Sequence, residues 1–111
     1  MSARRMMAAL AVASAMTAQP VLAQEVPTTF PPEQILAGAK LYSANCAVCH
    51  GARMVEEGGG FFDLRTFPPV QRSRFMHSVS NGKNSMPPWK SVLSQDEIGS
   101  LFAYVIAGEP K

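Results

Sequence analysis

The only two cysteines of this 111-residue chain stand in one pentapeptide, Cys46-Ala47-Val48-Cys49-His50. Two thiols two residues apart, followed at once by a histidine, have the spacing of c-type haem attachment. The chemistry accounts for that spacing. Two thioether bonds fix two points along one edge of a porphyrin, and the two intervening residues let a single turn of chain span the edge. The next residue, His50, is then placed beneath the iron as a neutral nitrogen ligand. Three other readings compete. A disulfide suits an oxidising compartment but has no use for the adjacent histidine. A thioredoxin-like pair wants a strand before it and a helix after, whereas here a helical pattern precedes and a glycine loop follows. Zinc wants four ligands, which Cys46, Cys49, His50 and His77 provide only nominally. The haem reading is retained.

A second axial ligand must come from the rest of the chain. After His50 the candidates are Met54, Met76, His77, Lys83 and Met86. Met54 is too close to the first ligand to cross the ring, and Met76 and His77 fall within a helical pattern. Met86 lies 36 residues after His50, in a stretch stiffened by Pro87 and Pro88. Proline there lowers the entropy lost in holding the thioether. The bland alternative for Met86 is core filling, and His77 as a second imidazole is the rival ligand. A His/Met pair favours ferrous iron. It also fills both axial positions, which argues for electron transfer and against an enzyme.

The N-terminus is expected to belong to no folded domain. Arg4 and Arg5 precede an apolar run, Met6 to Met16, that is too short to span a bilayer, and small residues end at Ala23. This reads as a signal peptide over residues 1–23, with the mature protein exported beyond the cytoplasmic membrane. The arginine pair also invites a twin-arginine reading, but the residues after it do not follow that pattern. Cleavage after Ala23 leaves 88 residues, with eight basic against eight acidic. That balance lacks the basic stripe of a nucleic-acid binder, and no later apolar stretch is long enough for a membrane anchor. So small a chain buries little core of its own, and a large apolar cofactor would supply what is missing.

Residues 24–30 read as a flexible lead-in and residues 31–111 as one all-α domain with about three main helices. The first is expected from Pro32 to Ala44, with proline and Glu33 in its first turn and Ile35, Gly38, Ala39 and Tyr42 on one face. The second is expected to open at Pro68-Pro69, reach Ser80 and stop at Asn81-Gly82. Residues 83–90 are expected as an irregular, extended loop, because paired prolines exclude helix. Ser94 and Glu97 form a capping box for the last helix, and Ile98, Leu101, Phe102, Val105 and Ile106 make its apolar stripe. Nothing alternates with period two.

The order of these features resembles the class I cytochrome c family over essentially all of the mature chain. The resemblance implies that a glycine and an aromatic of the first helix, Gly38 and Tyr42, cross the last helix near Leu101 and Tyr104. A narrower resemblance rests on residues 63–68 (Asp63 to Pro68), Arg74-Phe75, Asn81-Gly82-Lys83 and Met86-Pro87-Pro88-Trp89. These look like the small periplasmic cytochromes c that accept electrons from quinoprotein (PQQ-dependent) alcohol dehydrogenases. Many class I members carry a proline after the glycine loop, whose carbonyl accepts a hydrogen bond from the proximal histidine. Here the stretch is Gly60-Phe61-Phe62-Asp63-Leu64, so Phe62 or Asp63 must serve.

The expectation is therefore a soluble, monomeric one-electron carrier holding one covalent haem c through Cys46, Cys49, His50 and Met86. Its partners would be redox proteins, a quinoprotein dehydrogenase as donor and an oxidase or other acceptor. Trp89 is either core or a hydrogen-bond donor to a haem propionate. Arg65, Arg72, Arg74 and Lys83 lie between the axial ligands and Lys90 just beyond Met86, either as ordinary solvated surface or to neutralise propionates and steer an acidic partner. Two rivals remain: a peroxidase-like or ligand-sensing protein with a displaceable sixth ligand, and a fixed cytochrome subunit of a dehydrogenase complex.

Overall fold

The computed structural model describes residues 29–56 and 58–109, together with Ala11 and Ser14. The expected signal peptide and most of the lead-in lie outside the described residues. Four α-helices follow in order: α1 Pro32–Asn45, α2 Ala47–His50, α3 Arg72–Asn81 and α4 Gln95–Ala107. Two short 3₁₀ turns, Ala52–Met54 and Leu64–Thr66, punctuate the long connection between α2 and α3. Among the described residues there is no strand, only an isolated bridge between Lys83 and Met86. None of these helices is long and apolar enough to cross a membrane.

α1 starts where Pro31 offers its carbonyl to the N–H groups of Gln34 and Ile35, with Pro32 in the first turn, where its missing donor costs nothing. α4 carries the expected capping box: Ser94 Oγ accepts from the Glu97 N–H at 3.1 Å, and Glu97 Oε1 accepts from the Ser94 N–H at 2.9 Å. It is the central element. Leu101 to Ile106 is buried without interruption, because α4 packs against α1 on one side and α3 on the other.

The α1/α4 crossing is as close as backbones allow. A Cβ on Gly38 would run into the Ser100 carbonyl of α4 and lie 2.9 Å from the Tyr104 Cβ. Four residues along α1, Tyr42 packs its ring on Tyr104 with centroids 5.1 Å apart. The expected crossing residues thus meet. A second aromatic cluster ties α3 to α4, with Phe67, Phe75 and Phe102 at centroid separations of 5.3 to 6.3 Å.

Helix α3 begins at Arg72, not at the expected Pro68-Pro69. The reason is local. A residue before proline is pushed out of the helical region, so Pro68 stays outside the helix, and a turn closes from the Gln71 N–H to the Pro68 carbonyl at 3.1 Å. α3 runs one residue past Ser80, and Gly82 at φ 79° ends it as expected. Its ψ of 161° then carries the chain into extended backbone, not a second left-handed turn.

Candidate haem-binding cleft

Cys46 closes α1 by donating its N–H to the Tyr42 carbonyl at 2.8 Å, and its own carbonyl accepts the His50 N–H at 2.9 Å. The motif is therefore one helical turn. Residues three and four apart share a helical face, so Cys46, Cys49 and His50 present their side chains together. Both thiols are unpaired, Cys46 half-buried and Cys49 exposed. Burial, with a smaller contribution from Cys49, pushes the Cys46 thiol up to about 11. Gly51 ends the turn at φ 84°, ψ 154°, a region open in practice only to glycine. There a Cβ would collide with the Val55 carbonyl.

The chain after Gly51 is held from three directions. Tyr42 donates its hydroxyl hydrogen to the Gly51 carbonyl at 2.7 Å. Met54 is 1 % exposed and belongs to the core, which agrees with its exclusion as a ligand. Arg53 pairs with Glu109 at 3.4 Å, and Glu109 also accepts from the Tyr104 hydroxyl at 2.9 Å. These contacts offset the unfavourable positive φ of Arg53 and Met54, a cost of about 1–2 kcal/mol for each such residue.

The second axial candidate sits in a turn tighter than the expected extended loop. The Lys83 N–H bonds to the Met86 carbonyl at 3.1 Å and the Met86 N–H to the Lys83 carbonyl at 2.9 Å, with Asn84 at φ 53° between them. Beyond the two prolines the chain is tied back to α3: the Trp89 and Lys90 N–H groups bond to the Val79 and Ser80 carbonyls. Met86 is thus fixed on both flanks by backbone.

These pieces enclose a cleft of about 570 Å³, lined by Cys46, Cys49, His50, Met86 and Trp89. All five site residues expected from the sequence come together there, along with Lys83. His77 is not among its walls. It stays exposed on α3, its Nδ1 3.3 Å from the Asn81 amide nitrogen. Among the described residues no three His, Cys, Asp or Glu side chains gather as a metal cluster, so the nominal zinc set does not assemble. Trp89 is half-buried and packs against the core while also lining the cleft.

The residues fit a haem. Phe67, Phe75, Leu101 and Val105 supply an apolar wall, and the cavity has the size of a small-molecule site. His50 Nδ1 lies 3.3 Å from the Phe62 carbonyl oxygen. A carbonyl only accepts, so Nδ1 carries the proton in this contact and Nε2 keeps its lone pair for a metal. Sequence reasoning left Phe62 and Asp63 open; the fold selects Phe62. It also missed the Tyr42 hydroxyl bond and the backing of Met86 by Gly82, because both depend on which carbonyl lies across a gap. The Asn81-Gly82 pair was a signal for the turn but not for that contact.

Comparison with known proteins agrees with this geometry. Residues 33–105 match the family described as cytochrome C oxidase, cbb3-type, subunit III. Cytochrome c6 of Nostoc sp. is 37% identical over 73 residues, which are 62% of this chain and 66% of that one. Among solved structures, cytochrome c6 of the diatom Phaeodactylum tricornutum superposes with a TM-score of 0.53 at 28% identity, covering 67% of this chain and 92% of that one. The quinohemoprotein alcohol dehydrogenase ADHIIG of Pseudomonas putida HK5 gives 0.62 at 29% identity, over 70% of this chain but only 12% of that one. The chain belongs to the cytochrome c family, a one-electron carrier whose cofactor is a single covalently bound haem c.

Proposed function

We propose that this chain is an exported, periplasmic carrier that accepts electrons from a quinoprotein alcohol dehydrogenase and passes them toward a terminal oxidase, and that it is not itself an enzyme. The carrier reading rests on the single cleft that gathers two thiols, an imidazole and a thioether. Cys46 and Cys49 would hold the haem through thioether bonds, with His50 Nε2 and Met86 Sδ as the axial ligands. The bound group supplies a one-electron iron couple. His50 is oriented by its Nδ1–H donating to Phe62, and Met86 by the reciprocal bonds of its turn. With His50 and Met86 both holding the iron, this chain would leave no coordination site for a substrate. Trp89 would give its indole N–H to a propionate, and Arg74 and Lys83, which also line the cleft, would balance the propionate charge. Val48, 89 % exposed beside the exposed Cys49, marks the edge through which electrons enter and leave.

The partner reading is supported by likeness to a short portion of a protein named a quinohemoprotein alcohol dehydrogenase. That likeness also favours a second reading, a fixed subunit of such a dehydrogenase. Co-purification that survives high salt would select the subunit; a reduction rate that falls with salt would select the transient, charge-steered carrier. The first experiment is the visible spectrum of the haem-loaded protein in both oxidation states. The ferric wild type is expected to show the weak far-red thioether-to-iron band, and Met86→Ala to lose it. A wild type without that band, or one that binds carbon monoxide at once when reduced, would return the reading to a ligand-binding haem protein.

A further inference from the structure

The Phe62 carbonyl that faces His50 is held by no proline, since residues 60–67 contain none. Nor does Phe62 lie in a helix or strand that would fix it. What holds it is the next residue. Asp63 caps the following 3₁₀ turn: Oδ1 accepts from the Arg65 N–H and from Arg65 Nε, both at 3.0 Å, and Oδ2 accepts from Arg65 Nη2 at 3.0 Å. The Asp63 carbonyl in turn accepts from Thr66 Oγ1 at 2.7 Å and from the Thr66 N–H at 3.0 Å. Because the peptide unit is planar, the Phe62 carbonyl belongs to the same rigid plane as the Asp63 nitrogen. Fixing Asp63 therefore aims that oxygen. On the other flank the Phe62 ring meets Phe67 edge-on at 6.2 Å, and the Arg74 guanidinium sits over both rings at 5.8 and 5.0 Å.

We propose that Asp63 is a positioning residue for the redox centre: its cap aims the Phe62 carbonyl at His50 Nδ1 and so sets the reduction potential. The inference rests on His50 being the nitrogen ligand. An acceptor at Nδ1–H makes Nε2 a more basic donor, which stabilises the more positive iron and lowers the potential. A loosened cap weakens that bond and raises the potential. The Asp63 and Arg65 side chains are 40% and 41% exposed, and an ion pair so exposed contributes little to stability. The consequence of removing it is thus expected in the potential more than in folding.

The test is a redox titration of the haem-loaded wild type, Asp63→Ala, Asp63→Asn and Thr66→Val, with proton exchange of the His50 ring N–H followed by NMR in the ferrous state. Asp63→Ala is expected to shift the potential positively and speed exchange while keeping the far-red band of methionine ligation. Asp63→Asn retains an oxygen for the Arg65 N–H and is expected to stay near wild type. An Asp63→Ala potential equal to wild type overturns the proposal. Should Asp63→Ala take up no haem, Thr66→Val decides: a positive shift supports the proposal and an unchanged potential overturns it. Failure of the underlying ligand assignment would be visible separately, in a wild-type spectrum without low-spin histidine-ligated haem, and would remove the inference with it.

Discussion

Gly82, at φ 79° and ψ 161°, occupies backbone that residues with a Cβ scarcely enter. A Cβ there would also lie 2.6 Å from the Met86 carbonyl and 3.0 Å from the Pro88 nitrogen. Gly82→Ala is therefore expected to cost about 1–3 kcal/mol and to push the Met86 turn outward, weakening the far-red band and admitting carbon monoxide; spectra of the ferric and ferrous variant check both. Tyr42 offers a test against pH. Burial is the main reason its hydroxyl is raised from 10.0 to about 12; the Cys46 thiolate adds only in the haem-free chain, since a thioether carries no charge, and a Met54 backbone N–H lowers it. The fold thus favours the neutral phenol. Its contribution to stability is whole below pH 10 and is lost as pH rises toward 12. Tyr42→Phe is expected to lose roughly 1 kcal/mol at neutral pH and to show a shallower decline between pH 10 and 12, read from denaturant unfolding of the haem-loaded protein. Tyr104 moves in the same direction, through burial and its bond to Glu109, so the decline will not vanish entirely.

At the scale of elements, the α1/α4 crossing and the α4 cap are separable. Ser94→Ala removes an acceptor for the Glu97 N–H at an exposed helix start and is expected to cost about 1 kcal/mol with the visible spectrum unchanged. Gly38→Val acts where α1 meets the Ser100 carbonyl, with no flexible side chain to yield. It is expected to cost more than Ser94→Ala and to lower the yield of haem-loaded protein, measured by haem absorbance per chain. The capping box, the α4 stripe and the α1 glycine were all legible in the sequence, since each is a local pattern with a short-range cause. The start of α3 was misplaced because Pro68-Pro69 has two local meanings, helix opening and helix exclusion. The second prevails because each proline constrains the residue before it.

For the whole molecule, the cleft of about 570 Å³ is a large void for a small domain. Its walls include Phe67, Phe75, Leu101 and Val105, four residues of the core itself. With Cys46→Ala and Cys49→Ala together, no haem can be attached covalently, and the cleft loses the group that would fill it. Loss of cooperative thermal unfolding is expected, since a chain this size has little stability to spare; circular dichroism of the double variant beside the holoprotein measures it.

The sequence alone carried the attachment motif, its histidine, the helical class and the start and stripe of α4, because each is written in the spacing of neighbouring residues. It also singled out Met86, since proline stiffening is a local property. It took the fold to establish that Phe62 and not Asp63 faces His50, that Tyr42 bonds the Gly51 carbonyl and that Gly82 backs the Met86 turn. Any residue offers a carbonyl, so its type carries no mark of which one will be met. That choice is made by the path of the chain through space, where residues 9 to 12 positions apart close on one another within hydrogen-bond reach.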